Sequence, residues 1–119
     1  MAAEILLGRR ALAMTDKNGN QSDTQVETVR SALAEYTDSH PDAQIDVRRQ
    51  NPVSIRIRII DPSFAGMTRV DREPPVWKLL QTLPEDVFAC VTMLLLITPS
   101  EVPTSFANME FDDPVPSRL

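Results

Sequence analysis

The residues best equipped for chemistry are few. The 119-residue chain holds one histidine, His40, and one cysteine, Cys90. A nucleophilic Ser–His–Asp or Cys–His arrangement would rest on these single residues, and no spacing pairs them. A disulfide within the chain is excluded, as is a zinc site built from Cys and His alone. His40 stands in Asp38-Ser39-His40-Pro41-Asp42, where the proline biases it toward an extended backbone. It reads as an exposed turn residue and a poor catalytic base. Cys90 borders an apolar run and reads as a small buried hydrophobe. The acids Glu85-Asp86 follow Pro84, which suits the first turn of a helix better than a catalytic carboxylate pair. Of only three glycines, Gly66 has no partner three residues on, so neither a Walker loop nor a KH-type GxxG clamp is complete. These features point away from an enzyme, and no cofactor or metal is expected.

Arginine remains. Residues 45–72 carry Arg48, Arg49, Arg56, Arg58, Arg69 and Arg72 against Asp46, Asp61 and Asp71, a net-positive stretch in a chain of net charge −5. The overall charge excludes bulk attraction to nucleic acid or anionic lipid, so any such binding needs a local patch. Arg56 and Arg58 share a strand face, and Arg48 can join them from the neighbouring strand. Guanidinium groups favour bidentate anions, which makes phosphate backbone one candidate ligand. An acidic protein partner, or the acidic segment 110–113 folding over the patch, is another. An ordinary wet sheet face with cross-strand Arg–Asp pairs competes with both. Aromatic residues are 5% of the chain, too few for a base-stacking platform.

The elements that must position these arginines follow from periodicity. Val26, Val29, Leu33 and Tyr36 form one helical stripe, with a capping box from Ser22 and Gln25 or from Thr24 and Glu27. Ile45 and Val47 alternate with Asp46 and Arg48 in a first strand. Val53, Ile55, Ile57 and Ile59 alternate with Ser54, Arg56 and Arg58 in a second, which predicts one packed face and one wet face. Asn51-Pro52 between them predicts an antiparallel hairpin. Val76, Leu79, Leu80 and Leu83 mark a helix that Pro74 and Pro75 force to begin near Glu73. A short helix capped by Thr82 follows. A strand over 92–98 then carries an apolar run consistent with burial on both faces. Thr98-Pro99-Ser100-Glu101 has the capping-box form.

This order predicts an α+β fold: an α-β-β-α-α-β sandwich, with a three-stranded mixed sheet and helices on one face. The third strand, reached by a helical crossover, should run parallel to a hairpin strand. Residues 22–102 form the expected domain. Residues 1–21 are expected as a mobile N-terminal tail, with Met14 a possible start, and 103–119 as a mobile, acidic, proline-containing C-terminal tail. No apolar run is long enough to span a bilayer. Cysteine usage fits a reduced, cytoplasmic setting.

The motifs Phe64-x-Gly66, Arg69-Val70-x-Arg72 and Val76-Trp77-x-x-Leu80, set between a strand and a short helix, resemble the BolA-like family. The resemblance covers about residues 54–98. It implies a type II KH-like fold and a non-enzymatic role with monothiol glutaredoxins in iron–sulfur cluster handling, with DNA binding in some members. The family's ligand histidine, immediately after the arginine matching Arg72, is replaced here by Glu73. The family's second ligand, a Cys or His in the hairpin loop, has no counterpart in Arg49-Gln50-Asn51-Pro52. Cluster binding in the family's manner is therefore not expected. The leading expectation is an adaptor acting through a protein–protein surface. The alternative is a nucleic-acid-binding KH-like domain using the Arg48/Arg56/Arg58 face and the loop with Phe64, Gly66, Arg69 and Arg72.

Overall fold

The computed structural model describes residues 23–113. The expected tail over 1–21 and the possible start at Met14 lie outside them. Helix α1 (Thr24–Ser39) buries the stripe Val26, Val29, Leu33 and Tyr36. Its cap is Asp23, whose carboxylate accepts the Val26 N–H at 3.1 Å, in place of the Ser22 or Thr24 expected from the capping-box pattern. The helix ends where Pro41 restricts His40. The His40 ring stacks on Tyr36, with centroids 4.0 Å apart, so it is half-buried and not the exposed turn residue expected.

Strands β1 (Gln44–Asn51) and β2 (Ser54–Ile60) pair antiparallel, and β3 (Val91–Ile97) lies parallel to β2, giving the order β1-β2-β3. A parallel neighbour cannot be reached by a tight turn. The crossover is made by a 3₁₀ turn (Pro62–Phe64) and three helices, α2 (Arg69–Arg72), α3 (Pro74–Leu80) and α4 (Glu85–Phe88). Helix α3 begins at Pro74, as the paired prolines require. The turn α2 is additional to the expected elements; Thr68 caps it by accepting the Asp71 N–H at 3.2 Å. Thr82 does not cap α4: its hydroxyl donates to the Leu79 carbonyl at 2.6 Å, and Pro84 holds the cap position.

One layer of the core lies between α1, α3 and the sheet. Ile55, Ile57 and Ile59 of the central strand meet Val29, Leu33, Val76 and Leu80 there, all essentially inaccessible. Cys90 is only half-buried at its margin. Val53, expected on this same face, is 66% exposed. The Asn51 side chain accepts its N–H at 2.9 Å and holds Val53 in the turn, outside the ladder.

The sheet's other face departs most from expectation. Helix α5 (Phe106–Asp112), inside the segment expected to be a mobile tail, packs against it. Phe111 joins Leu95 and Ile97 in a second buried cluster flanked by Met93, Ile60 and Ala107. Five consecutive residues of β2, Ile55 to Ile59, are consequently buried, so the face expected to be wet is covered. Ser105 caps α5 by accepting the Asn108 N–H at 3.1 Å. A 3₁₀ turn (Pro99–Glu101) with a complete Thr98/Glu101 capping box leads the chain from β3 toward it. Among the described residues, no helix is long and apolar enough to cross a membrane.

Ile57→Ala should destabilise the fold by about 2–5 kcal/mol, because its side chain is fully buried between the sheet and the layer of α1 and α3. Val53→Ala should change stability by no more than about 0.5 kcal/mol. Urea unfolding of the two variants beside the parent checks both values, and equal losses would contradict the assignment of Val53 to the turn.

Candidate functional site

The pairing register places Arg48 opposite Arg56 and Asp46 opposite Arg58. The period of two puts all four side chains on the face away from α1. The three arginines do come together there, and what gathers them is the ring of Phe111. The guanidinium carbons of Arg58, Arg48 and Arg56 lie 4.6, 4.7 and 5.5 Å from its centroid. Cations over an aromatic face are attracted by its quadrupole, each by about 0.5–2 kcal/mol depending on desolvation.

Burying a guanidinium is costly unless its donors are used. Arg58, 6% exposed, uses four of its five. Its Nε and Nη2 donate to Asp46 Oδ2 at 3.0 and 2.8 Å, and its Nη1 donates to Asn108 Oδ1 and Asp112 Oδ1 at 2.8 Å each. Arg56, 8% exposed, donates to Gln50 Oε1 at 2.8 Å and to the Met93 sulfur at 3.0 and 3.2 Å. Arg48 stays exposed, with Asp112 at 3.4 Å and the Phe111 carbonyl at 3.5 Å. The acidic segment 110–113 thus folds over the arginine patch, one of the occupants its charge pattern allowed.

The second group of expected binding residues, in the loop 64–72, is not part of this cluster, and two of its four members are consumed by the core. Phe64 is buried against Tyr36. Arg72 is buried, holds Glu101 through two bonds at 2.8 and 3.2 Å, and donates to the Leu96 and Met67 carbonyls at 2.9 and 3.2 Å. Neither presents a donor or ring to an incoming ligand. Arg72 instead clamps the crossover to the end of β3. Gly66 and Arg69 do face solvent. Gly66 has φ +81°, a left-handed conformation that lets the chain turn from the 3₁₀ segment into α2.

Two further ionic contacts fix the surroundings. Arg49 ties the hairpin loop to the start of α1 through Asp23 and Gln25, the latter at 2.6 Å, and holds the Asp23 carboxyl below its usual range. The Tyr36 hydroxyl donates to buried Asp61 at 2.5 Å. Burial pushes the Tyr36 phenol up, and the neighbouring carboxylate pushes it further. Burial alone would raise Asp61, but the Tyr36 hydroxyl and the Ser63 N–H overcome it and leave Asp61 below its usual range. Glu73 is exposed and accepts the Trp77 indole N–H at 3.1 Å. Among the described residues, no group of three or more His, Cys, Asp or Glu is placed to hold a metal ion.

Phe111 and Asp112 lie in the acidic segment 110–113 that the sequence offers as a cover for the patch, whereas Asn108 is not singled out by the sequence and no helix is expected there. The signal that could have found the helix is the proline-free run between Pro103 and Pro114. It opens on a Ser cap and puts Asn108, Phe111 and Asp112 at i, i+3 and i+4, one face of a helix.

The chain matches no family model and no curated protein sequence. Among solved structures it is similar to BolA1 from Arabidopsis thaliana, at 20% identity and a TM-score of 0.44, over 66% of this chain and 96% of that one. From α1 to β3 the element order is the one the motif resemblance implied, with the turn α2 added.

The Arg72–Glu101 clamp sets a pH dependence. Arg72, with the Thr98 N–H, lowers the Glu101 pKa from 4.5 to about 2 in the folded chain. The unfolded chain therefore takes up a proton first as the pH falls. The clamp's contribution is full above about pH 4.5 and is lost as the pH drops toward 2. Glu101→Gln should be less stable than the parent at pH 6 and should show a shallower loss between pH 4.5 and 2. Parallel denaturant melts across that range check it; identical slopes would remove Glu101 from the acid response.

Proposed function

We propose that this chain is a non-enzymatic protein-binding module of the adaptor kind found among BolA-like proteins, and that its binding chemistry is arginine reading an aromatic ring and a carboxylate. The observation that carries this is the seat of Phe111 and Asp112 beneath Arg48, Arg56 and Arg58. A face that encloses a phenyl ring and satisfies a side-chain amide is suited to a polypeptide ligand. Phosphate backbone has no counterpart to either group. The nucleic-acid reading is further weakened because Arg56 and Arg58 already spend most of their donors inside the chain. Arg69 and the exposed Val70 on α2 would supply a second, smaller contact.

By its resemblance, the partner to test first is a monothiol glutaredoxin, contacted without shared cluster ligation. Glu73 offers only a hard carboxylate, and the hairpin loop offers neither thiolate nor imidazole. Mixing the protein with a cluster-loaded monothiol glutaredoxin should leave the visible cluster absorption unchanged while calorimetry records association. A stable spectral shift, lost on mutating His40 or Cys90, would contradict the ligand-free reading. Binding to a mixed DNA and RNA pool should be weak at all salt concentrations. A log–log salt slope of about −0.7 to −0.9 per contacted phosphate would instead favour the nucleic-acid alternative.

A further inference from the structure

We propose that the arginine face is a docking site for a short acidic helix of another polypeptide, carrying a phenylalanine followed by a carboxylate, and that α5 is the intramolecular stand-in which such a helix displaces. The inference rests on the protein-binding reading above and names the partner's chemistry.

Three observations carry it. First, α5 specifies what the face accepts. Asn108, Phe111 and Asp112 lie on one helix face and supply, in turn, an amide oxygen to Arg58, a ring to all three guanidiniums, and a carboxylate shared by Arg48 and Arg58. This is recognition of a helix by anchors at i, i+3 and i+4.

Second, α5 is a modest ligand. It has seven residues, far below the length at which a helix persists alone, so its order depends on being docked. It buries only Asn108 and Phe111. Phe106 is left 80% exposed, and Met109 is exposed beside it. A longer helix could extend the same contact.

Third, the face survives the exchange. Without α5, Arg58 keeps both bonds to Asp46, and Arg56 keeps Gln50 and the Met93 sulfur. All the described partners of Arg48 belong to α5, so Arg48 is the side chain freed to meet an incoming acid.

While α5 is docked, a competitor's apparent affinity is reduced by the fraction of molecules whose face is open. The test uses the full chain and a fluorescent peptide of residues 105–113 supplied in trans, read by anisotropy. Phe111→Ala in the protein should raise the peptide's affinity at least about tenfold over the parent. Asp112→Asn, which keeps the ring, should raise it by a smaller factor and serves if Phe111→Ala does not fold. Adding Arg48→Glu to either variant should abolish the gain, as should replacing the peptide's second phenylalanine by alanine. Equal affinities for parent and folded variants would overturn the proposal. So would concentration-dependent dimers of the variants that exclude the peptide, which would make a second copy the occupant. Tighter binding of single-stranded nucleic acid than of peptide by the variants would overturn it as well. The glutaredoxin titration is independent: its failure with peptide exchange intact would remove that partner and leave this docking site standing.

Discussion

The central strand has to bury both of its faces, and one of them carries two arginines. Ile55, Ile57 and Ile59 meet the helical layer, which leaves Arg56 and Arg58 in the middle of a three-stranded sheet with β1 and β3 on either side. A guanidinium there must be paired or hydrated. The sheet itself provides part of the answer through Asp46, Gln50 and Met93. The rest comes from about two turns of helix after the last strand. Phe111 covers the apolar stems while Asn108 and Asp112 take both donors of Arg58 Nη1. The second hydrophobic cluster, the burial of the arginines and the path of the chain beyond Glu101 all follow from that one requirement.

The same logic gives Arg72 its place. It is the arginine of the motif that resembles the BolA-like family, and in this chain it is a structural residue. It joins the loop after β2, the carbonyl of Leu96 and the capping box at the end of β3 in one set of bonds. Glu101 is held below its ordinary pKa by that guanidinium while also capping its own turn. The clamp delivers the chain from β3 toward the arginine face, so the position of α5 depends on it. Two arginine systems on separate parts of the sheet are linked in this way by five residues of chain, 101–105.

Much of the helical layer could be read from the sequence because its signals are local. The alternation in Ile55-Arg56-Ile57-Arg58-Ile59 fixes two faces, Pro74-Pro75 dates the start of α3, and Thr98 with Glu101 announces its capping box. What alternation cannot supply is the identity of whatever covers the second face. Period two separates the isoleucines from the arginines, but a solvated arginine face and one capped by a distant helix have the same pattern. The helix that carries Phe111 is hidden by its context, since the acids and prolines around it resemble a solvated tail and the energy that orders α5 is tertiary. Val53 shows the opposite failure: it fits the alternation and still lies outside the strand, because the Asn51 side chain takes its N–H.

The packing of Phe111 on the arginines is the central claim, and proton chemical shifts report it directly. Side-chain protons of Arg48 and Arg58 lie over the ring face, with guanidinium carbons within 5 Å of its centroid. Their resonances should be displaced upfield of random-coil positions in the parent protein. They should return toward those positions in Phe111→Leu, which keeps the apolar volume and removes the ring current. Random-coil shifts for both arginines in the parent, in a chain whose Ile57 methyls are dispersed as in a packed core, would mean that the sheet's second face is open and that α5 does not cover it.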